Sequence, residues 1–334
     1  MKLHLDKEAF AFLLSDSSQR SDIRSDIIEK DYYLTLLLWE LANKQDTIPA
    51  YFKGGTALYK AIGRVKQFSE DIDLTVEVRD CTKSQGKKRL EAAANGYLEL
   101  CRTKDKERES NQRGSITSVY EYTPIFSVDQ EDALQRFGCV KVEATSFTVS
   151  EPTELLEVSP LLYLEATDEQ RRLLRSNYDV GPFPIRTIKM ERIFADKLLA
   201  AEFYYQRGML FDTAKHLYDL VTMTTQRRIK RLLSTPEELV KMLAYKRQEE
   251  RIRIGSDLAE KPFYRFDLFS HFKEDAELLK AFIKMQEIYV FSDEDIIQPD
   301  TLFNCVEGLK EILFGLDEGL EFLPPTLTTG QIMM

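Results

Sequence analysis

Residues 51–78 read YFKGGTALYKAIGRVKQFSEDIDLTVEV, and the fold prediction depends on the features of this segment. It begins with a short apolar segment, passes through a Gly-Gly turn into the helix-like TALYKAI, and ends in a strand with an Asp-x-Asp pattern. Alternation along that strand predicts Asp71 and Asp73 on one face and Ile72 and Leu74 on the other. The sequence therefore predicts a strand with one acidic face and one core face.

The spacing of the two acids predicts a metal site beside a phosphate site. The strand rise separates the alpha carbons of Asp71 and Asp73 by about 6.6 Å, so both carboxylates can bind one hard divalent cation, Mg²⁺ or Mn²⁺. Upstream, Gly54, Gly55 and Thr56 open the predicted helix, where backbone N–H groups can face an anion. Phosphate and metal together indicate a nucleotide site, although an acidic strand at a sheet surface is also common.

The motif GGTALYK followed by FSEDIDL resembles the signature of the AbiEii/MenT-type nucleotidyltransferase toxin family of bacterial toxin–antitoxin and abortive-infection systems. The resemblance implies an α/β (α+β) nucleotidyltransferase-like N-terminal domain with a mixed sheet, at residues 1–185. A mostly helical C-terminal domain at residues 186–334 would contribute to the cleft and to acceptor binding. Prolines and a glycine at residues 177–187, NYDVGPFPIRT, look like a loop and mark this boundary.

A second strand, CVKVEATSFT at residues 139–148, supplies a third acid. Its alternation places Lys141, Glu143 and Thr145 on one face. If this strand pairs near the Asp-x-Asp strand, Glu143 joins Asp71 and Asp73, and the resemblance implies that these three acids hold the metal. The alternative is an ordinary cross-strand pair between Glu143 and a cation.

Two charged residues stand on predicted helices of the C-terminal half. Lys197 lies within the apolar stripe of MERIFADKLLAAEFYYQ, so its ammonium either extends to solvent or reaches an anion. IFADKLLA resembles a family motif, which implies that Lys197 neutralises the triphosphate. KHLYDL resembles a further motif and implies a functional role for Asp219, against the alternative of a surface pair with Lys215. His216 is given no catalytic role.

The resemblance also implies a triphosphate cradle, with one departure. Gly54, Gly55 and Ser69 would surround the phosphates. Relatives often carry Arg directly before the Phe-Ser of this motif, whereas this chain has Gln67. Arg64 or Lys66 could substitute for that Arg.

Composition limits the class of protein. The chain has 334 residues with 43% apolar and 31% charged residues, which is enough for two domains with sizeable cores. Four scattered cysteines and three histidines argue against a zinc site and against a disulfide framework. The N-terminus does not read as a signal peptide, and no membrane span is evident, so we expect a cytoplasmic protein.

Several polar segments are predicted to be solvated. Helices are expected within residues 7–45, where Glu29-Lys30-Asp31 resembles an early family element but is interpreted as a solvated face. Lys83–Cys101 is predicted to be helical. The net charge of −10 argues against a general polyanion binder. Basic residues in the segments 83–113 and 227–253 are therefore interpreted as solvated surface, with RNA contact as the alternative.

The leading hypothesis is a metal-dependent nucleotidyltransferase toxin that transfers NMP from an NTP to an RNA acceptor, specifically a tRNA 3′ end, and that an antitoxin protein relieves. One alternative keeps the enzyme but changes the acceptor to a small molecule or a protein side chain. Another is a non-catalytic NTP-binding partner protein. The chain has no G-x-x-x-x-G-K-[ST] motif, so a P-loop NTPase is not supported.

Overall fold

The computed structural model describes residues 1–62, 67–103, 107–112, 114–126, 138–146, 152–251, 257–290 and 292–320. Strands in these ranges are β1 (Ala50–Lys53), β2 (Asp71–Val76), β3 (Cys101–Arg102), β4 (Ser110–Gln112), β5 (Ser115–Glu121), β6 (Cys139–Thr145), β7 (Thr153–Val158) and β8 (Phe183–Ile188). The α-helices are α1 (Lys7–Ser21), α2 (Ser25–Ala42), α3 (Gly54–Ile62), α4 (Lys83–Asn95), α5 (Leu161–Leu164), α6 (Asp168–Tyr178), α7 (Met190–Tyr205), α8 (Leu210–Thr224), α9 (Arg227–Leu233), α10 (Pro236–Glu249), α11 (Asp267–His271), α12 (Ala276–Tyr289) and α13 (Pro299–Leu320).

The strands form one mixed sheet in the order β3-β5-β6-β2-β1-β8-β7, with β4 paired to β5. The pairs β2–β6 and β1–β8 are parallel, and the other neighbours are antiparallel. The predicted mixed sheet followed by a helical region is therefore confirmed. The parallel pair β2–β6 is the one that positions the acidic residues.

The chain divides into two compact units. The first comprises Met1–Ile193 and Gln286–Ile296, and it contains every strand that the structure describes. The second comprises Phe194–Met285 and the chain from Ile297 onward, and its described elements are helical. The assignment of catalysis to residues 1–185 and of acceptor binding to residues 186–334 stays a prediction.

One face of the sheet supplies the core of the first unit. Ile72 and Leu74 on β2 and Val140 and Val142 on β6 are fully buried, as their alternation predicts. Helix α2 packs against β2, β6 and β8 and is buried along most of its length. The central position of α2 explains why it carries buried side chains on all sides.

The second unit is built around α8. This helix packs against α9 and α13 and buries Leu217 and Tyr218, while α13 buries Leu309 and Leu313. Among the helices of the described ranges, none is both long enough and apolar enough to span a bilayer.

Three sequence-based expectations were wrong. The helix predicted for Lys83–Cys101 ends at Asn95 with Gly96 as its C-cap, and Cys101 already belongs to β3. The segment interpreted as a loop at residues 177–187 contains β8, which registers Thr187 against Phe52 in the interior of the sheet. The residues Glu29, Lys30 and Asp31 are buried rather than solvated.

Candidate active site

The acidic residues of β2 and β6 share one face of the sheet. The parallel register sets Asp73 opposite Glu143 and Asp71 opposite Lys141. All four side chains are partly exposed, whereas their neighbours along both strands point into the core. The pairing of Glu143 with the Asp-x-Asp strand, which the sequence left conditional, is thus observed.

Lys141 lies among these carboxylates. Its ammonium forms an ion pair with Glu143 and lies 3.7 Å from Asp71 Oδ2. Burial by itself would lower the pKa of Lys141, but the charges of Asp71 and Glu143 outweigh burial and raise it. The alternative for Glu143, a cross-strand ion pair with a cation, is therefore also present, because Lys141 partly neutralises the acidic face.

The backbone at the start of α3 lies directly against Asp73. Lys53, the last residue of β1, is registered with Asp73, and Gly54 follows with a φ of +80°. A Cβ on Gly54 would lie 2.8 Å from Asp73 Cγ, which is closer than real side chains approach. Glycine is required at this position both for its left-handed backbone and for the close approach of the acid.

A buried hydroxyl connects α3 to β2. Thr56 Oγ1 donates to the Asp71 carbonyl oxygen at 2.5 Å and lies 2.9 Å from Ser69 Oγ. Thr56 is fully buried, whereas Gly55 and Ser69 are partly exposed. Thr56 therefore fixes the helix to the acidic strand, and Gly54, Gly55 and Ser69 are partly exposed at this end of α3, where a ligand can reach them.

Gln67 occupies the position where relatives often carry Arg. Its side-chain oxygen is buried and has no hydrogen-bond partner among the described residues. The next residue, Phe68, is held by its backbone N–H, which donates to the Tyr289 carbonyl oxygen at 3.0 Å. Arg64 and Lys66, the expected substitutes, lie outside the described residues.

Helix α2 holds both halves of the Gly-Gly and Asp-x-Asp stretch through two consecutive charged residues. Lys30 Nζ lies 3.3 Å from Glu70 Oε2, and Glu70 directly precedes Asp71. Asp31 Oδ1 lies 2.6 Å from Lys60 Nζ on α3, with all four side chains buried. We call Lys30, Asp31, Lys60 and Glu70 the α2 clamp.

Further hydrogen bonds complete the clamp around Asp31. Tyr59 donates its hydroxyl to Asp31 Oδ1 at 2.5 Å, and the Leu161 N–H donates to Asp31 Oδ2 at 2.6 Å. Lys60 also donates to Thr35 Oγ1 and to the Ser159 carbonyl oxygen, each at 3.0 Å. The network satisfies these charges inside the core, which burying them requires.

Glu29 holds the chain that follows β5. Its Oε1 accepts a hydrogen bond from the Ile125 N–H at 2.8 Å. Burial raises the pKa of Glu29 to about 7, and this hydrogen bond offsets only part of the effect of burial.

In the second unit, Lys197 on α7 and Asp219 on α8 form an ion pair. Lys197 Nζ lies 2.6 Å from Asp219 Oδ2, and both residues are buried. Burial raises the pKa of Asp219 although Lys197 acts in the opposite direction. Lys197 therefore reaches an anion rather than solvent. Lys215, the alternative partner of Asp219, lies 3.9 Å from Asp212 instead.

His216 lies close enough to Lys197 for the charge of that lysine to affect its pKa. The imidazole stacks on Tyr204 with centroids 5.2 Å apart, and its Nδ1 is buried with no hydrogen-bond partner among the described residues. Burial, followed by the charges of Lys197, Lys215 and Lys246, holds the pKa of His216 well below its usual range. The ring is therefore neutral at pH 7.

A family model described as "Nucleotidyl transferase AbiEii toxin, Type IV TA system" matches residues 36–297, which is well over half of the chain. The chain belongs to the AbiEii nucleotidyltransferase toxin family. It is accordingly a nucleotidyltransferase, and membership of a type IV toxin–antitoxin family implies an NTP substrate and an antitoxin partner.

Among solved structures, this AbiEii protein is similar to MenT4, a nucleotidyltransferase toxin from Mycobacterium tuberculosis H37Rv. The identity is 15%, the TM-score is 0.47, and the likeness covers 93% of this chain and 98% of the MenT4 chain. No curated protein matches the sequence.

The oxygen donors of the AbiEii protein fit a hard divalent cation, although the described residues do not form a complete metal site. Within the described ranges, no three His, Cys, Asp or Glu side chains converge as a metal-binding group. The acidic face nevertheless carries the oxygen donors of Asp71, Asp73 and Glu143, and it already attracts one cation, the ammonium of Lys141. Hard oxygen donors of this kind suit Mg²⁺ or Mn²⁺.

Sequence reasoning missed the α2 clamp of this AbiEii protein. The sequence did contain one signal. Glu29, Lys30 and Asp31 interrupt a helix in which the residues before and after them, such as Ile28 and Tyr32, are apolar and cover all of its faces. Charges inside such a helix cannot all face solvent, so buried partners should have been expected.

Proposed function

We propose that this protein is a divalent-metal-dependent toxin that transfers NMP from an NTP to the 3′ end of an RNA, specifically a tRNA. The observation that carries the proposal is the acidic face on which Asp71, Asp73 and Glu143 lie beside the glycine start of α3. The carboxylates can bind the metal ion, and the backbone N–H groups at the start of α3 can bind the phosphates of a metal-bound triphosphate.

Asp71, Asp73 and Glu143 would hold Mg²⁺ or Mn²⁺. The chemistry that such a cation supplies is neutralisation of charge on the phosphoryl oxygens and on the pyrophosphate leaving group. The backbone N–H groups of Gly54 and Gly55 and the hydroxyl of Ser69 bind the triphosphate, favoured by the positive end of the α3 dipole.

Glu143 orients the acceptor hydroxyl and accepts its proton. Lys141 donates to Glu143 and so fixes the position of its carboxylate before the acceptor arrives. The acceptor oxygen then forms a bond to the alpha-phosphorus while the bond to pyrophosphate breaks.

Lys197 and Asp219 take their proposed roles from the family resemblance. Lys197 neutralises the triphosphate, and Asp219 holds its ammonium in place. The 2.6 Å ion pair between them supports the positioning role, because a buried ammonium needs a fixed counter-ion.

The RNA acceptor follows from the resemblance to MenT-type toxins. Modification of tRNA would arrest growth until the antitoxin intervenes. We further propose that the protein acts in the cytoplasm, where NTPs and tRNA occur, and that it contributes to phage defence.

The test is a transfer assay with the purified full-length protein. Each NTP, labelled at its alpha-phosphate, is incubated with Mg²⁺ and with total RNA, a protein extract or a panel of small molecules. We expect label to enter tRNA. Asp71→Asn should abolish transfer, whereas Asp80→Asn, an exposed acid beyond the end of β2, should leave it unchanged.

If the label enters protein or small molecules, the acceptor is a protein side chain or a small molecule and not RNA. Transfer that persists in Asp71→Asn would refute the proposed acidic site.

A further inference from the structure

Helix α9 of the second unit presents a cationic face to solvent. Its sequence RRIKRLL buries Ile229 and Leu232 against the unit. The exposed residues of the helix are cationic: Arg227, Arg228, Lys230 and Arg231. We call the side chains of Arg227, Lys230 and Arg231 the α9 face.

The cations of the α9 face are not paired with acids of the described residues. Among the residues that the structure describes, Arg227, Lys230 and Arg231 form no ion pair. Two exposed lysines elsewhere in the same unit do pair with acids, since Lys273 lies 3.4 Å from Glu307 and Lys280 lies 2.7 Å from Glu277. The positive charge of α9 is thus available to a partner.

The first turn of α9 opposes the stability of the helix, although Lys230 and Arg231 in the last turn favour it. The first turn contains two arginines and no acid, and Gln226 makes no side-chain cap. Cations at a helix N-terminus repel the positive end of the dipole. The next helix shows the opposite pattern, because Glu237 and Glu238 occupy the first turn of α10. Helix stability therefore does not account for the arginines in the first turn of α9.

We propose that the α9 face binds the phosphate backbone of the RNA acceptor. This inference rests on the proposed function and assigns its acceptor a binding surface. The whole chain carries a net charge of −10, which repels a polyanion, so an RNA needs a local concentration of unpaired cations. Arginine and lysine on one short helix meet that need, because their guanidinium and ammonium groups donate to phosphate oxygens.

The test replaces Arg227, Lys230 and Arg231 together by Gln in the full chain. The control replaces Lys273, Lys280 and Lys284, three exposed lysines of the same unit, by Gln, so that both variants lose equal charge. Binding of fluorescently labelled bulk bacterial tRNA is measured by anisotropy without NTP at several salt concentrations.

We expect the α9 variant to bind the tRNA at least about tenfold more weakly at 0.1 M salt. The slope of log affinity against log salt should fall in magnitude by about 2 to 3, as three lost phosphate contacts require. The control variant should keep the wild-type affinity and slope. The melting temperature of the α9 variant should change little, because Arg227 opposes the helix dipole whereas Lys230 and Arg231 favour it.

Equal tRNA affinity of the α9 variant and the wild type would overturn the inference. So would an α9 variant that loses binding to the cognate antitoxin while keeping tRNA affinity, since the face would then bind protein. The proposed function fails separately, by absence of label transfer, because the binding measurement needs no chemistry.

Discussion

At the scale of single residues, two positions are sensitive to a small change: an added methyl group at one affects activity, and the loss of a proton at the other affects stability. Gly54 is one, because the acid of Asp73 lies where a side chain would be. Glu29 is another, because it is a buried carboxyl that titrates near neutral pH. The sequence singles out Gly54 as a candidate phosphate-binding residue but cannot predict the close approach of Asp73, which depends on the packing of α3 on β2. It cannot predict the titration of Glu29 either, because that depends on the burial of α2.

Gly54→Ala is expected to abolish nucleotidyl transfer. The left-handed backbone at +80° costs an alanine about 1–2 kcal/mol, and the new methyl group displaces Asp73. Gly308→Ala is the matched control, since Gly308 lies within α13 with open space around it. That variant should keep full activity and gain about 0.5–1 kcal/mol in the free energy of unfolding. An active Gly54→Ala enzyme would show that the close approach is dispensable.

Glu29 makes the stability of the wild type depend on pH. Its pKa is about 7 in the folded state against an ordinary value of 4.5, so the folded chain keeps this proton to higher pH. The contribution of the protonated group is complete below the unfolded pKa and is lost as the pH rises towards 7.

Glu29→Gln should therefore become more stable than the wild type as the pH rises from 5 to 8, by at most about 3 kcal/mol. Urea unfolding at both pH values measures the difference. A difference that does not change with pH would contradict this assignment.

At the scale of elements, the two strand–helix halves of the site are held by a third element, α2. Lys30 ties it to the residue before Asp71, and Asp31 ties it to α3. The sequence correctly predicts the strand alternation of β2 and the helical pattern of α2, because both are local. It fails on the clamp, because Lys60, Glu70 and Leu161 are distant in sequence and their proximity depends on the tertiary fold.

Removing one partner of a charge pair in the α2 clamp should destabilise the fold. Asp31→Asn and Lys60→Met each leave a buried polar partner and should lower the free energy of unfolding by about 3–5 kcal/mol. The double variant should lose less free energy of unfolding than the sum of the two single losses, since neither charge is then left unpaired. Lys87→Met, which breaks only an exposed pair with Glu91, should cost less than about 1 kcal/mol. Additive losses in the cycle would show that Asp31 and Lys60 are not coupled.

At the scale of the whole molecule, a ligand bound to the first unit should stabilise that unit. Trp39 is the single tryptophan of the chain and lies on α2, so its fluorescence reports the unfolding of this unit. The mixed sheet and the helical region were predictable from the order of sequence patterns. The return of Gln286–Ile296 to the first unit was not, because the last turn of α12 and the short segment that follows carry no signal of which core they join.

Mg²⁺ with an unreactive NTP analogue should raise the Trp39 melting temperature. At one hundred times the dissociation constant, the stabilisation is about 2.7 kcal/mol. The double variant Asp71→Asn/Asp73→Asn should show no shift, whereas Asp80→Asn should respond as the wild type does. An equal shift in the double variant would place the ligand elsewhere.

The parallel pairing of β2 with β6 has a consequence for protein synthesis. Asp73 emerges from the ribosome long before its partner Glu143, and β1 gains its neighbour β8 later still. Contacts between distant parts of a chain form late. A chain released before β6 therefore carries two acids without the third, and on the proposed function we expect such products of interrupted translation to be inactive.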